Sequence, residues 1–529
     1  EARVSQARLA NATINVENAS VEKLLGLAAQ PLLTKARANL RVNIVEKNGA
    51  SSGTAELELF DGVLDSKVVE AEYSLKLPPI VTYQAVVKAF MEDNKIKANG
   101  VLDSNLAKLA IKEAKFNIST KVLGSRFDLH VKDLSKLVEM TGVPLQGSFD
   151  AKGDLSFDEK NILVNANSAS LGGNLDVVYS DDKVFVKGKD LDIEKILFTL
   201  VQPLLAKGKI ELKADIESIE NTKGVVHAKV QNGNLSGKEL KALVDLEWPN
   251  FIGFETILDA TIDKENINFK ADLQSDLANI DGIKGSFDTK SLMLESIYDL
   301  HVKDLSKLSF MTGQVLKGSL EANGKVKLEN DKPYFDVMTD VLGGKTLLVF
   351  ENDTARLEAD GFSMERISEV ADVPYVFKAT GSANAKYNIS EEQGEFSIQI
   401  PQGHLLDNEL VRLVQVATRF NMLTETYTDT SLKGIVKNQM VGYDFAMQGK
   451  ESFMKVDQGT LNLDSQEINA PFKLQIKNKD LAGAIKGKMS SPKVKITVSE
   501  YITDKIEKEL DKHLKDDAKN LLKGLKKLF

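Results

Sequence analysis

The sequence predicts a mainly β protein: a long antiparallel β-sheet curled into an elongated apolar groove, with short helices interspersed and an amphipathic helix at the C-terminus. Three observations predict it. Apolar and polar residues alternate with period 2 over most of the chain. A unit of 171 residues repeats without a gap. No linker interrupts the pattern before about Tyr501.

The repeat is direct. Asp128-Leu129-His130-Val131-Lys132-Asp133-Leu134-Ser135-Lys136-Leu137 returns letter for letter from Asp299 to Leu308. Met140-Thr141-Gly142, Gly147-Ser148 and Leu171-Gly172-Gly173 recur at the same offset. A second motif occurs three times: Ser20-Val21-Glu22-Lys23, Asp192-Ile193-Glu194-Lys195 and Ser363-Met364-Glu365-Arg366, followed by Pro31, Pro203 and Pro374. Ser20, Asp192 and Ser363 are helix-capping residue types, the Glu two positions on favours the positive end of the helix dipole, and Pro ends the pattern, so a short helix is expected in each copy. Ser135 and Ser306 are expected to cap the other short helix of the repeat.

Between the helices the chain reads as strands. Phe149, Ala151, Leu155 and Phe157 alternate with Asp150, Lys152 and Asp154; Ile210 and Leu212, then Ile267, Phe269 and Leu273, then Val326 and Leu328, then Phe472, Leu474 and Ile476 continue the pattern, with Val494 and Ile496 last. Asn48-Gly49, Asn232-Gly233, Asp281-Gly282, Asn323-Gly324 and Asp360-Gly361 read as turns between strands. One wet and one dry face fit an antiparallel meander. The dry face must be hidden, either between two sheets of stacked sandwiches or in one sheet curled lengthwise into a groove; periodicity alone does not separate these. Unbroken patterning and an aliphatic lining, with only 6% aromatic residues and one Trp, favour the groove. At roughly 4.8 Å per strand and roughly 30 strands, a single sheet would extend on the order of 140 Å, comparable to a gap between two membranes.

The expected organisation is a first groove segment over 1–127, a repeat unit over 128–298, a second, partial copy over 299–400, a C-terminal groove segment over 401–498 and a basic amphipathic helix over 499–529. In that last segment Ile502, Ile506, Leu510, Leu514, Ala518, Leu521, Leu522, Leu525 and Leu528 recur at helical spacing, and Lys519, Lys523, Lys526 and Lys527 have no acid among them. Leu521, Leu522, Leu525, Leu528 and Phe529 with the lysines suit contact with an anionic membrane; a helix that plugs the end of the sheet is the competing reading.

Composition narrows the function. With 68 Lys+Arg against 77 Asp+Glu the net charge is −9, which lacks the basic field that nucleic acid requires. The absence of Cys excludes disulfides, iron–sulfur clusters and thiolate zinc sites. No metal or cofactor is expected. The five histidines are scattered, and His130 and His301 are one repeat position, which suggests a structural role. Gly172-Gly173 and Gly343-Gly344 lack the Lys-Ser/Thr of a phosphate loop. No catalytic residues are assigned, and the chain is read as a non-enzyme. It begins with Glu, so an upstream segment, a signal or an anchor, is expected to have been lost.

The alternating hairpins with D-L-S-K-L helices, followed by Ile485-Lys486-Gly487-Lys488-Met489-Ser490-Ser491-Pro492-Lys493-Val494, resemble the AsmA-like family of Gram-negative envelope proteins. In that family an I-x-G-x-x-x-x-P-x-V segment precedes a Lys-rich amphipathic tail, and Ile485, Gly487, Pro492 and Val494 occupy those places. The resemblance implies a periplasmic β-groove that conducts phospholipids between inner and outer membranes. Acyl chains would lie along the groove residues named above, membrane-protein partners could sit at either end, and an anchor upstream of Glu1 would hold the inner membrane. Two alternatives stay open: an envelope assembly or structural protein whose groove holds a partner polypeptide, and a polysaccharide-binding or cleaving β-solenoid.

Overall fold

A computed structural model describes residues 2–5, 8–47, 50–244, 246–330 and 332–497. The chain is mainly β, a long antiparallel curled sheet that does not close on itself, with short helices between some strands. It divides into two compact units, Glu1–Asp276 and Leu277–Phe529. Within each unit every described strand pairs with its neighbours in sequence, from Ala2–Ser5 to Asn266–Ser275 in the first and from Asn279–Asp288 to Lys493–Thr497 in the second.

The meander gives each unit two different rims. On one, strands are joined by tight turns whose residues take positive φ, such as Asp93, Asp181-Asp182, Asn352-Asp353 and Asn438-Gln439; Asn and Asp tolerate that region best among residues with a Cβ. The other rim carries the helices: α1 (Val21–Leu27), α2 (Ser66–Tyr73), α3 (Val138–Thr141), α4 (Ile193–Thr199), α5 (Gly237–Val244), α6 (Ser309–Thr312), α7 (Met364–Ala371) and α8 (Glu409–Thr418). The repeat is ten strands long: α1, α4 and α7 follow the second, twelfth and twenty-second strands. A second helix recurs at the same period, since α2, α5 and α8 follow the fourth, fourteenth and twenty-fourth.

Capping differs in detail from expectation. Ser20 caps α1 by accepting from the Lys23 amide, whereas Asp192 and Ser363 hold the N-cap position without a side-chain bond. Ser135 and Ser306 are not the caps of the 3-10 helices Leu134–Leu137 and Leu305–Leu308. Asp133 and Asp304 are, each accepting at 3.0 Å from the amide of the Ser two residues on and at 2.7 and 2.6 Å from its hydroxyl. The Ser hydroxyl bonds, followed by the backbone ones, hold both carboxyls below their ordinary range.

Most of the expected Gly turns are something else. Asn232-Gly233, Asp281-Gly282 and Asp360-Gly361 lie inside strands at register shifts, so they are bulges, which bend a strand and increase its twist. Asn323-Gly324 lies inside the strand Leu320–Glu329, where a Cβ on Gly324 would meet the Asp336 carbonyl at 2.0 Å. Further bulges fall at Asn18 and Asp190, one repeat position, with φ of 52° and 54°. These mid-strand bends curl the sheet. Asn48-Gly49 and the tail 499–529 lie outside the described residues.

Candidate functional site

Directly opposed residues of neighbouring strands share a face, so register assigns the faces. In the first unit Val131, Leu129 and Leu123 stand opposite Phe149, Ala151 and Phe157. Leu155 and Phe157 stand opposite Val164 and Ile162, and Val164 and Ala166 opposite Tyr179 and Val177. Val177 then meets Val186, Val186 and Gly188 meet Ala214 and Leu212, and Ile210 and Leu212 meet Val230 and Ala228. Ala228 faces Leu258, and the next pairings set Leu258, Ala260 and Ile262 against Ala271, Phe269 and Ile267, with Leu273 opposite Thr256. All nine groove candidates of this unit therefore share one apolar face.

That face is unevenly covered. Several of its buried residues, among them Val81, Val131, Leu191 and Ile252, lie at the helix-bearing rim. Away from the rim most side chains are half-buried, and Ile14 and Phe157 remain 48 and 41% exposed. A small apolar cavity of about 180 Å³ lies among Ala85, Val87, Leu102, Leu109 and Ile111. Soluble proteins rarely leave contiguous apolar patches beyond a few hundred Å² without a use for them.

The opposite face carries the charges. His130 and Asp150 pair at 2.6 Å, His227 and Asp259 at 2.7 Å, and Lys132 and Asp103 at 2.6 Å. His301 meets Glu321 at the position equivalent to His130 and Asp150. The three His pairs join directly opposed, exposed residues of neighbouring strands, where ion pairs contribute little to stability, so these histidines mark strand register. Among the described residues no group of three or more His, Asp or Glu is arranged to hold a metal ion, and no described helix is long and apolar enough to cross a membrane.

The second unit begins in the same way. Val326 lies between Ser296 and Phe335, Leu328 lies between Leu294 and Pro333, and the rings of Phe335 and Phe350 stack at 4.9 Å. Towards the C-terminus the apolar face closes on α8. Val411 and Val414 of α8 are fully buried, in one core with Phe377, Ile400, Met422 and Tyr427. Phe472, Leu474 and Ile476, expected to line the groove, are 1–2% exposed in that core, and Val494 is buried with them; Ile496 packs at its margin. The space in front of these residues is already filled by the chain's own helix. Sequence reading missed α8, although Leu410, Val411, Leu413 and Val414 follow an Asn408 cap at helical spacing.

Two tyrosines belong to this core. Burial pushes the Tyr427 hydroxyl up to about 12; the bond with Ser452 acts the other way and the nearby Glu425 charge adds to the rise. Burial alone pushes Tyr443 up to about 12. The Glu425 carboxylate, itself buried, accepts from the Glu451 amide and the Ser452 hydroxyl, both at 3.0 Å. This network ties the turn before Ser452 to the strand that begins at Tyr427.

Beside α8 lies a cavity of about 790 Å³ whose walls are almost wholly apolar. The segment that carries the family resemblance forms the terminal hairpin beside it. Ile485 pairs with Val494, both line the cavity with Pro492, and Gly487 takes φ of 109°, a conformation open to glycine. No protein-family model and no curated protein matches the chain.

Proposed function

We propose that the protein is a periplasmic bridge-like lipid-transfer protein, which conducts phospholipids between inner and outer membranes with acyl chains on the apolar face and headgroups at the rim. The observation that carries this reading is the first unit's face, aliphatic on strand after strand and half-exposed away from its helical rim. A hydrocarbon chain loses little on moving from bilayer to such a surface, while a headgroup at the rim keeps its water. The family resemblance in Ile485, Gly487, Pro492 and Val494 points the same way. On this reading an upstream anchor and the basic tail are the membrane contacts, and membrane proteins are the partners at either end.

The test is lipid extraction and native mass spectrometry of the purified protein, followed by vesicle-to-vesicle transfer. Leu212→Asp or Phe269→Asp places a carboxylate on the half-open face, where it still reaches water and so leaves folding nearly intact, but it is costly to desolvate in an acyl path. Transfer should fall to background. A well-folded variant that transfers phospholipid at the original rate would sink the proposal.

A second reading, in which the face holds a partner polypeptide, is favoured by α8, a peptide segment already seated on the apolar face of the second unit. Co-purified peptide in place of phospholipid would select it.

A further inference from the structure

The cavity beside α8 has a chemistry of its own. Phe377, Ile398, Ile400, Met447, Met454 and Val456 are among its apolar lining. The polar lining atoms differ in their commitments. Asn408 is engaged, its Oδ1 accepting from the Val411 amide and its Nδ2 donating to the Leu406 carbonyl. Thr430 is not: it lies opposite Ile400, is 3% exposed, and its Oγ1 has no hydrogen-bond partner. A buried hydroxyl without a partner is costly. A lone water is a poor remedy, because it needs two to four polar neighbours and the lining is mostly apolar, with Tyr443 and Ser491 the other hydroxyl-bearing residues. Glu409, exposed at the first turn of α8, is the sole charged residue among the described residues that line the cavity.

We infer that this cavity binds one aliphatic chain bearing an uncharged oxygen function, a hydroxyl or ester carbonyl that bonds Thr430 Oγ1, so that its ligand is a neutral monoacyl lipid. The volume lies within the about 300–1,000 Å³ of small-molecule sites. The apolar wall takes the chain, the orphaned hydroxyl takes the oxygen, and Glu409, with no cation among the described lining residues, turns away a carboxylate or phosphate. The inference rests on the cavity's geometry and stands apart from the conduit reading.

The test is calorimetric titration of the full chain with 1-monooleoylglycerol, oleate and hexadecane below their aggregation limits. Monooleoylglycerol should bind one to one, and oleate at pH 8 about tenfold more weakly or worse. In Thr430→Val the preference for monooleoylglycerol over hexadecane should fall about three- to tenfold, the worth of one hydrogen bond, and Thr430→Ser, which keeps the oxygen, should retain it. Oleate binding as tightly as the glyceride, an unchanged preference in folded Thr430→Val, or no monooleoylglycerol binding each overturns the inference. Phospholipid transfer is scored separately on Leu212→Asp, so a failed conduit and an empty cavity are told apart.

Discussion

If α8 fills space that the sheet would otherwise leave open, then trimming its inner face must destabilise the second unit and only that unit. Val411 and Val414 have no exposed surface. Val→Ala removes two buried carbons, about 1.6 kcal/mol at roughly 0.8 kcal/mol each, and the unfilled space adds a cavity term, giving about 2–2.5 kcal/mol per site. The two positions are three apart on one face and share a cavity, so the double variant should lose about 3–5 kcal/mol rather than a strict sum. Trp248 is the one Trp and lies in Glu1–Asp276, so its fluorescence follows the first unit through a urea titration while hydrogen exchange at α8 and its strands follows the second. The second-unit transition should move to lower urea with the Trp248 transition unmoved. Leu243→Ala on α5, at a residue 58% exposed, is the matched control and should change stability by less than about 0.5 kcal/mol. A double variant within that same margin, or equal movement of both transitions, would refute the seating of α8.

Alkaline pH should weaken the same unit. Tyr427 and Tyr443 titrate near 12 folded against a reference of 10.0, so between those values the unfolded chain gives up protons first and stability falls as pH rises from about 10 to about 12, with no effect below 10. The urea midpoint at pH 9 and pH 11.5 measures this, and the drop should shrink in Tyr427→Phe with Tyr443→Phe; a drop of the same size in that variant refutes it. Removing residues 518–529 should lower binding to anionic liposomes and abolish its salt dependence, since each lysine near such a surface adds about 1 kcal/mol; salt-independent binding by the intact chain would count against the membrane reading of the tail.

The parts of the fold legible in the sequence are those set by local periodicity. Alternation from Phe149 to Phe157 and from Ile267 to Leu273 assigned the faces correctly because one side of a curled meander is dry and the other wet. The decapeptide repeat located both 3-10 helices at equivalent places. Features set by contacts across strands were illegible. Asn232-Gly233 and Asp360-Gly361 look like hairpin turns because bulge and turn both need a left-handed residue, and only pairing on both sides distinguishes them. Asp133 displaced Ser135 as cap because a carboxylate two residues earlier accepts both the amide and the hydroxyl. The filled space before Phe472 and Leu474 depends on a helix some sixty residues earlier in the chain, which no local pattern at those strands reveals.

The three copies of the second helix bear on why the first unit's face stays open. At the α2 and α5 places the sequences SKVVEAEY and GKELKALV leave Val69 as the one buried residue of α2 and Leu243 of α5 exposed. At the α8 place the helix reads ELVRLVQVAT, gains an apolar face and is drawn into the sheet. The cap position is polar in all three copies (Asp65, Ser236 and Asn408), and α8 is also the longer helix, ten residues against eight. A sheet of this curvature therefore has room for a helix-sized apolar body, and the third copy supplies one from its own chain. In the first and second copies the helix stays outside the sheet, and that room is not filled by it. The α2 and α5 helices, whose charged residues favour water, stay at the rim and leave the apolar face in front of their strands uncovered.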